Sequence, residues 1–555
     1  MRVNEFLVET CCPQVRALGL EWQRGAGGMP WSVFDFFAPH KSSPPPRPRA
    51  PAVLSRLPAL PPHSGWLSGP VVLRLLEGAD RVALKPVAQA ARKLKLATTD
   101  GEDWTVLWSH KPPWDIDSLA KRRVAGAGPY LVNHLPGTTR LVSKVDLVQF
   151  SAGLAARLPR IFGAITPETY ALPEQARLLD AAIARRGLSD AYGWPNWLAK
   201  SKQHRGIHVV SGNASHTMSE LGETLVQERV RPLLLPGLPR VFDVGLYVLV
   251  SSVRPLHVWA FNRSLVRVCL SSYPRETRKK GWARAAFAES RRYVIKEYTP
   301  FWRLRAFAPH LKRCAGEAGC AMRAALDEAG YDGGALWRRM ERIAASLLVA
   351  LRPSVEAALA RRRMRGASAF ELFRFDFLVD EDAQPVLTEV NLSPNLATAP
   401  GAPEDGAVKE TLLVETLRLV TQRFAPAPTA TPAATPTATP AAAPLAVPTG
   451  DGSLESFGSV PGSVPADLRG VTCGGSCCRL QAACNSSWAR LTRSHCLSRA
   501  ELQMLHLAAA EQRVAVAGGM QRIWPARLGT GNVRTLWPVP PREDRLLACW
   551  TRAAS

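Results

Sequence analysis

The stretch FELFRFDFLVDEDAQPVLTEVNLSPNL, residues 370–396, predicts a β-hairpin whose apolar strands carry acidic side chains. Successive side chains of a strand point to opposite faces of a sheet, and the segment Asp-Glu-Asp-Ala-Gln-Pro contains residue types that form turns. If Val379 pairs with Val386, the antiparallel register places Asp376 directly opposite Glu389. The hairpin therefore brings two carboxylates together on one face.

These carboxylates and a neighbouring amide form a candidate metal site. Asn391 is a diagonal neighbour of Asp376 in the same register. Carboxylates directly opposite each other destabilise a sheet, and their burial is costly unless they are neutralised. Hard divalent cations prefer such oxygen ligands, so we predict that Asp376, Glu389 and Asn391 bind Mg²⁺. A solvated polar face without a metal is the alternative, which the apolar flanking residues disfavour.

The charge of the chain points to acidic partners. Its 555 residues include 70 Lys and Arg against 46 Asp and Glu, a formal net charge of +24. Such a balance favours nucleic acid, anionic lipid or an acidic protein tail as partner, with an Arg-rich compositional bias as the alternative. Nucleic acid binding explains the charge but not the acidic hairpin, so we expect no nucleic acid partner.

Neither a signal peptide nor a membrane span is expected. The N-terminal residues lack the charged-then-apolar layout of a signal peptide, and no run of about 18 apolar residues occurs. Six of the 11 cysteines fall in the last fifth of the chain, and their spacing is not that of a zinc site, so disulfides or buried thiols are favoured there: Cys473, Cys477, Cys478, Cys484, Cys496 and Cys549. For the central body we expect a reducing compartment.

Composition divides the chain into four segments. A Pro-rich stretch precedes the body, and a Pro/Thr/Ala tether follows it, because neither has the apolar content of a packed domain. The predicted segments are a weakly ordered 1–70, a mixed α/β body 71–423, a linker 424–450 and a Cys-containing tail 451–555 of unknown role.

Within the body, apolar patterns predict individual elements. Residues 104–114 read as a strand ended by prolines, and residues 171–191 have helical spacing. The almost continuously apolar residues 241–250 suit a buried central strand. Residues 336–366 read as an amphipathic helix interrupted near Pro353.

A basic loop upstream suits a phosphate chain. An apolar approach ends in Lys200, and a short loop that includes Lys202, Arg205 and Gly206 leads to another apolar strand. Cations neutralise phosphates, and glycine lets backbone N–H groups approach them. A basic surface hairpin is an equally good interpretation of these residues alone.

Two later segments complete a nucleotide cleft. Gln227 and Glu228 end an apolar strand whose edge suits an adenine, and Arg267 lies on another apolar strand, where it could reach a phosphate. Arg240 and Asp243 precede the buried strand, either as nucleotide contacts or as a structural ion pair. Together with the acidic hairpin, these features describe a cleft for Mg-ATP.

Over residues 100–420 the chain resembles the tubulin–tyrosine ligase-like family. YLVNHLPGTTRLVSKVDL, residues 130–147, resembles the family's NHFPG…KDL segment. RVFDVGLYVLVSSVRPLHVWAFNRSLVRVCL, residues 240–270, resembles FDLRxYVLV…GLVR, and the opening hairpin resembles FELFGFDxLLD…LLEVNxSPSL. The order of these motifs makes a chance match improbable.

The resemblance implies an ATP-grasp fold with a small N-terminal α/β subdomain, using ATP and Mg²⁺. Carried over by position, the lysine strand and its loop contact the phosphates, Gln227 and its strand meet the adenine, and Arg267 faces the phosphates or the acceptor. It also implies a monomer in the cytoplasm, on microtubules or in cilia, joining a free amino acid to an acidic tubulin tail. The basic stretches 275–292 and 361–365 suit such a tail, with solvated helix faces as the alternative.

The chain departs from the family pattern at several positions. Gly245 stands where FDLR has an arginine, Arg374 where the hairpin usually has glycine, and Ser201 where proline follows the strand lysine. No HLTN-like segment is recognisable after residue 270. Arg240 and Arg263 are candidates to replace the missing guanidinium.

The sequence therefore predicts an ATP- and Mg-dependent ligase that adds glutamate, rather than tyrosine, to tubulin through an acyl phosphate, with Arg267 and Glu389 as catalytic residues. An inactive or weakly active microtubule-binding relative is one alternative, which Gly245 favours. A ligase acting on another acidic protein is the other.

Overall fold

The computed structural model describes the central body and parts of the C-terminal region. The described residues are 69–76, 81–123, 129–157, 159, 165–191, 193–201, 206–274, 287, 289–295, 297–398, 402–424, 471–474, 477–480, 499–524 and 542–554. The predicted phosphate-loop residues Lys202 and Arg205 lie outside them.

The described strands form a parallel sheet, a small antiparallel sheet, a large central sheet and an isolated hairpin. They are β1 (Val72–Leu76), β2 (Ala97–Thr98), β3 (Val106–Ser109), β4 (Leu131–Val132), β5 (Thr169–Ala171), β6 (Trp197–Ser201), β7 (Ile207–Val209), β8 (Thr224–Glu228), β9 (Phe242–Val253), β10 (Leu256–Phe261), β11 (Leu265–Cys269), β12 (Tyr298–Pro300), β13 (Glu371–Val379), β14 (Pro385–Leu392), β15 (Val471–Gly474), β16 (Cys477–Leu480) and β17 (Met520–Trp524).

Helices pack around these sheets, which confirms the predicted mixed α/β class. They are α1 (Arg81–Lys93), α2 (Asp117–Arg122), α3 (Thr139–Val142), α4 (Lys144–Arg157), α5 (Ala176–Arg186), α6 (Ala214–Leu221), α7 (Ala308–Arg313), α8 (Ala318–Glu328), α9 (Gly333–Arg361), α10 (Pro403–Thr421), α11 (Arg499–Ala517) and α12 (Arg542–Ala554). Short 3₁₀ turns occupy Ser290–Arg292, Phe301–Arg303, Arg305–Phe307 and Gln422–Phe424.

Strand β9 is the centre of the largest sheet. All of its residues are buried, as its apolar run predicted, because it has partners on both sides. Along one side it pairs with β13, and along the other it pairs first with β11 and then with β10. All these pairings are antiparallel, so β9 aligns three neighbours with one another.

The opening hairpin forms strands β13 and β14, with a register slightly different from the predicted one. Val379 pairs with Pro385 rather than Val386, so the prediction for this pair is wrong. The register then shifts between Asp376 and Phe377, which restores Asp376 opposite Glu389. The extra residue of this β-bulge cancels the offset at the turn, so the predicted carboxylate pair is confirmed.

The two smaller sheets flank the central one. Strands β2, β1, β3 and β4 form a parallel sheet in that order, and the 104–114 stretch contributes β3 to it. Strands β5, β8, β6 and β7 form an antiparallel sheet in that order. Strand β8 thus lies between β5 and β6 and not at the predicted edge of a sheet. Its backbone groups form hydrogen bonds with these two strands.

Helix α9 is continuous through Pro353, so the predicted interruption is wrong. Its apolar side packs into the main hydrophobic core, including Leu347, Val349 and Leu351, and this burial offsets the hydrogen bond lost at the proline. By length and composition alone α9 is the one helix of the described chain that would suit a membrane span, and 67% of its apolar window is buried inside the molecule. Core packing accounts for that composition.

The predicted helix 171–191 is shorter than expected, since only residues 176–186 form α5. Residues 169–171 instead form β5, which pairs with β8. Only Ala171 of the predicted helix is therefore part of a strand, and residues 172–175 form the turn that leads into α5.

Residues beyond the tether return to the body. Strand β17 pairs antiparallel with β10 and extends the central sheet, and α11 contacts α10 and α12. Two buried polar contacts join this segment to the body: His257 Nδ1 lies 2.5 Å from Glu511 Oε2, and Arg352 Nη2 lies 2.9 Å from Asp544 Oδ2 in an ion pair. Part of the tail is thus a component of the body's core.

The three cysteines of the body differ in state in the structure. Cys314 and Cys320 form a disulfide between the end of α7 and the start of α8, while Cys269 on β11 is a buried free thiol. In the tail, Cys473 lies opposite Cys478 in the backbone register of β15 and β16, whereas Cys484 and Cys496 lie outside the described residues.

Candidate functional site

The site is organised around the buried carboxylate of Asp376 on β13. Arg374, two residues earlier on the same face, donates from Nε to Oδ1 at 2.6 Å and from Nη2 to Oδ2 at 2.8 Å. From β11, Arg267 donates from Nη2 to Oδ2 at 3.0 Å. Asp376 therefore lies between two guanidinium groups, each from a different strand of the central sheet.

Arg267 also binds the carboxylate of Asp243 on β9. Its Nε and Nη2 donate to the two Asp243 oxygens at 2.9 and 2.5 Å. Cross-strand pairing of Arg267 with Asp243 makes this bidentate contact local to the sheet. Of the two interpretations of Asp243, the structure thus shows the ion pair, and it places Arg267 between two acidic residues.

Burial and ion pairing oppose each other in this cluster. Burial alone would raise the pKa of Asp376, but Arg267 and Arg374 outweigh it and lower that pKa below its usual value. Burial raises the pKa of Asp243 to about 6, although Arg267 acts in the opposite direction. Asp376 is therefore ionised at neutral pH and is the more firmly charged member of the pair.

The three predicted metal ligands do come together. Asn391 donates from Nδ2 to Asp376 Oδ2 at 3.0 Å and to Glu389 Oε1 at 3.2 Å. The Glu389 side chain is 34% exposed, so it borders the cleft. Glu389 is also within hydrogen-bonding reach of the Asp376 carboxylate, so the two acidic side chains of the hairpin are in direct contact.

This donor set fits a hard cation such as Mg²⁺, since two carboxylates and an amide are oxygen ligands of the preferred kind. The described part of the chain has no group of three or more His, Cys, Asp or Glu side chains that could hold a metal ion. The present donor set has two carboxylates, which is below that number. Magnesium sites typically use one or two carboxylates and take remaining ligands from phosphates and water.

A lysine faces the hairpin from the small antiparallel sheet. Lys200 on β6 donates from Nζ to Gln227 Oε1 at 2.5 Å, and Gln227 donates from Nε2 to Thr169 Oγ1 at 3.0 Å. The two strands are neighbours in the sheet, so Gln227 orients the lysine. Its amide is used for that contact, and the backbone of its strand is paired on both sides.

A small cavity separates this lysine from the hairpin. Its walls come from α4, β5, β6, β8 and β14, with these lining residues: Lys144, Leu147, Val148, Thr166, Thr169, Lys200, Leu225, Gln227, Leu387 and Thr388. Apolar and cationic residues therefore line the same cavity, and the acidic hairpin forms one of its walls.

Burial lowers the pKa of Lys200 to about 8; the nearby Lys144 adds to this effect and Glu389 opposes it. Lys144 Nζ lies 4.0 Å from Glu389 Oε2. Sequence reasoning missed Lys144 as a site residue, although it opens the KVDL motif of residues 144–147. The signal was present as a motif, but alternation along a strand does not identify a residue at the start of a helix.

Several predicted residues lie elsewhere. Glu228 is on the surface, with its carboxylate 2.5 Å from Arg186 Nη1. Arg240 donates to Thr299 Oγ1 at 3.2 Å, and Arg263 forms an ion pair with Glu317. In the described part of the chain, Arg240 and Arg263 thus contact Thr299 and Glu317 rather than Asp376.

The backbone conformation at position 206 favours the glycine found in the basic loop. Gly206 has a φ of +91°, which favours glycine over residues with a side chain. Lys202, Arg205 and most of the basic stretch 275–292 lie outside the described residues, so the phosphate role of that loop stays a prediction.

Comparison with models of protein families identifies the family of this chain. The model of the tubulin-tyrosine ligase family matches residues 127–288 and 305–429, which include the hairpin, β9, β11 and the lysine strand. The chain belongs to the tubulin-tyrosine ligase family. This family match ends before β17, so the strand that extends the central sheet lies beyond it.

Curated relatives within the tubulin-tyrosine ligase family act on tubulin according to their names. Probable tubulin polyglutamylase ttll-15 of Caenorhabditis elegans is 27% identical over 301 residues, covering 53% of this chain and 52% of the relative. Human tubulin monoglutamylase TTLL4 is 26% identical over 57% of this chain and 25% of the relative. Zebrafish tubulin polyglutamylase ttll6 is 26% identical over 60% and 41%. The chain thus spans about half or less of their lengths.

Proposed function

We propose that the chain is an ATP- and Mg²⁺-dependent ligase of ATP-grasp type that joins a free amino acid, glutamate before tyrosine, to a carboxylate of an acidic tubulin tail. Membership of the tubulin-tyrosine ligase family and the names of its relatives support this proposal. The observation that carries it is the convergence of Asp376, Glu389 and Asn391 with Arg267. Glu389 also lies 4.0 Å from Lys144, which lines with Lys200 the small cavity beside the hairpin.

The reaction proceeds in two displacements. A tail carboxylate oxygen attacks the γ-phosphorus of ATP, the bond to the ADP oxygen breaks, and an acyl phosphate forms. The amine of the amino acid then attacks the acyl carbon, and inorganic phosphate leaves. Such transfers depend mainly on positioning and on electrostatic stabilisation of the phosphoryl oxygens.

The residues of the chain have separate tasks in this reaction. Lys200, oriented by Gln227, and Lys144 supply positive charge to the phosphates from the small sheet and α4. Arg267, held by Asp243, supplies a guanidinium from the central sheet. Asp376, Glu389 and Asn391 would hold Mg²⁺, which when bound neutralises charge on the phosphates.

ATP-dependent incorporation of radiolabelled glutamate into purified tubulin tests the proposal. We expect incorporation by the full chain and a loss of roughly 10²–10³ in rate for Glu389→Gln, because the amide removes one anionic ligand. Glu228→Gln is the matched control, since that glutamate lies on the surface and contacts Arg186. Equal rates for the two variants would contradict the metal assignment.

An inactive tubulin-binding relative is the second candidate. The contacts of Asp376 with two arginines and an amide favour it, because they already neutralise one predicted metal ligand. Thermal-shift titration separates the two: Mg-ATP raises the melting temperature of a ligase by ligand linkage, whereas co-sedimentation with microtubules without any such shift identifies a binder.

Transfer of glutamate to other acidic tails but not to tubulin would identify a different substrate.

We further propose that the chain acts as a monomer in the cytoplasm, on microtubules or in cilia. Disulfides are rare in the cytosol, so there we expect Cys314 and Cys320 as free thiols instead of the disulfide. Thiol labelling of the protein from fractionated cells checks this: an oxidised pair throughout would contradict the cytoplasmic location.

A further inference from the structure

Gly245 on β9 and Arg374 on β13 occupy one space in the candidate site. The strands pair so that Asp376 lies opposite Gly245, and Arg374 lies opposite Tyr247. A Cβ atom added to Gly245 would lie 3.0 Å from Cδ of Arg374 and 3.4 Å from Oδ1 of Asp376. The Arg374 side chain therefore lies in tight contact with the position where a residue at 245 would begin its own side chain.

The backbone does not require glycine at this position. Gly245 is not among the residues with positive φ, so its backbone is one that any residue adopts. Glycine within a strand weakens the strand, and such a residue often marks a close approach of another group. Here that group is the Arg374 side chain, which would have to shift by a few tenths of an ångström to admit a Cβ at position 245.

Arg374 is held firmly but retains a donor. Its side chain is 10% exposed, and Nε and Nη2 both donate to Asp376. No described contact involves its Nη1. Arg267 shows the same arrangement: Nε and Nη2 bind carboxylates, and its Nη1 has no recorded partner. Two oriented guanidiniums at one carboxylate thus each keep a donor for a further anion.

We infer that Arg374 supplies from β13 a phosphoryl-stabilising guanidinium beside Gly245 of β9, the position at which the FDLR motif that this segment resembles has its arginine. The arginine and the glycine are exchanged between adjacent strands, so the charge stays beside Asp376 while its point of attachment changes. This inference rests on the proposed function. Arg374 would donate to the γ-phosphoryl oxygens while the carboxylate–phosphorus bond forms and the bond to ADP breaks.

The exchange is tested by a cycle of three variants in the full chain: Arg374→Gly, Gly245→Arg and the double variant. The first readout is the affinity for a non-hydrolysable ATP analogue relative to ADP, both with Mg²⁺, measured by calorimetry. Removing a charge-assisted hydrogen bond costs roughly tenfold or more in affinity, so Arg374→Gly should lose at least that much of the preference for the triphosphate. The double variant should recover most of it.

Gly245→Arg alone should weaken binding, because its Cβ would meet a side chain that Asp376 already holds. In glutamate incorporation, Arg374→Gly should lose roughly 10²–10³ in rate, and the double variant should regain at least tenfold over it. Arg263→Ala is the control, since this half-exposed arginine binds Glu317 away from the site, and it should match the parent in both assays.

A purely structural Arg374 gives a different pattern. Arg374→Gly would then lower the melting temperature but leave the triphosphate preference unchanged, and this result overturns the inference. If the parent transfers no amino acid to tubulin but Arg374→Gly still loses the preference, the proposed substrate fails and the inference stands. A parent that binds neither nucleotide overturns both.

Discussion

Two clusters of buried charge lie on the central sheet, and they differ in access. The candidate site joins Asp376 to Arg267 and Arg374 and borders Glu389, whose side chain is 34% exposed. The second cluster, where the C-terminal segment meets the body, joins Glu511 to His257 and Arg423, with side chains 0–2% exposed.

This difference shows what distinguishes a binding site from a structural ion network. Both clusters satisfy acidic groups with cations in a low-dielectric interior, which is costly to disrupt. Among the described residues, the candidate site has a partly exposed carboxylate, Glu389, beside its arginines, whereas the second cluster is almost fully buried although Arg423 Nε there also has no hydrogen-bond partner. Buried charge alone therefore does not mark a candidate binding site, and the accessible carboxylate is what separates the two clusters.

The largest expected effect is on folding, in the second cluster. Glu511→Gln leaves His257 and Arg423 without their anion, and breaking such a buried pair costs about 3–5 kcal/mol. Denaturant unfolding followed by circular dichroism measures this loss. A loss of less than about 1 kcal/mol in the free energy of unfolding would contradict the structural role of the second cluster.

The pH dependence sharpens this prediction. Burial would raise the pKa of Glu511, but His257 and Arg423 outweigh it and lower the pKa to about 2, from an ordinary value of 4.5. A lowered carboxylate pKa stabilises the fold above the unfolded value, and this contribution is lost as pH falls from about 4.5 through about 2. In Glu511→Gln the acid-induced loss of stability should be smaller across that window.

Glu389→Gln should have a small effect on stability and a large effect on amino acid transfer, the opposite of Glu511→Gln. We expect its free energy of unfolding to stay within about 1 kcal/mol of the parent, because partly exposed ion pairs contribute little, while amino acid transfer falls as described above. Measuring both quantities on one preparation separates the clusters directly. A large loss of stability in Glu389→Gln would remove the distinction between them.

Lys200 predicts a moderate pH effect confined to the candidate site. With a pKa of about 8, it is protonated below that pH and loses its charge as pH rises through it. Affinity for Mg-ATP should therefore fall roughly tenfold between pH 7 and pH 9. Lys200→Arg keeps its charge over this range, so its profile should be flat, and a parallel decline in both proteins would assign the pH effect to another group.

The smallest effect is expected at Glu228. Its carboxylate is 39% exposed and pairs with Arg186 on the surface, and such pairs contribute about 0.2–1 kcal/mol. Glu228→Gln should leave nucleotide affinity unchanged within about twofold. A marked loss in calorimetric titration would restore the adenine contact that the sequence predicted for this side chain.

Local patterns predicted the elements that build the site. Continuous apolar residues identified β9, and alternation with a turn placed Asp376 opposite Glu389. These inferences succeed because strand pairing follows a simple period and acidic residues stand out within it. The same alternation put Asn391 beside both carboxylates.

The misses came from contacts between distant segments. Pro353 lies inside α9 because core packing outweighs its local preference, and the pairing of β17 with β10 joins residues far apart in the sequence. In the sequence, Gly245 was interpreted as the loss of one positive charge. Arg374 lies beside it in the sheet but is more than a hundred positions away along the chain, so the sequence did not connect the two. Only the paired strands show that the two departures belong together.

Strand β17 has a practical consequence for work with this protein. A chain shortened to residue 429, where the family match ends, would lack the strand that covers the edge of β10. Uncovered strand edges promote aggregation, and Arg352, Arg423 and His257 would lose acidic partners that the removed segment provides. Recombinant production of the body should therefore retain the C-terminal segment through residue 554, even though the recognisable family domain ends far earlier.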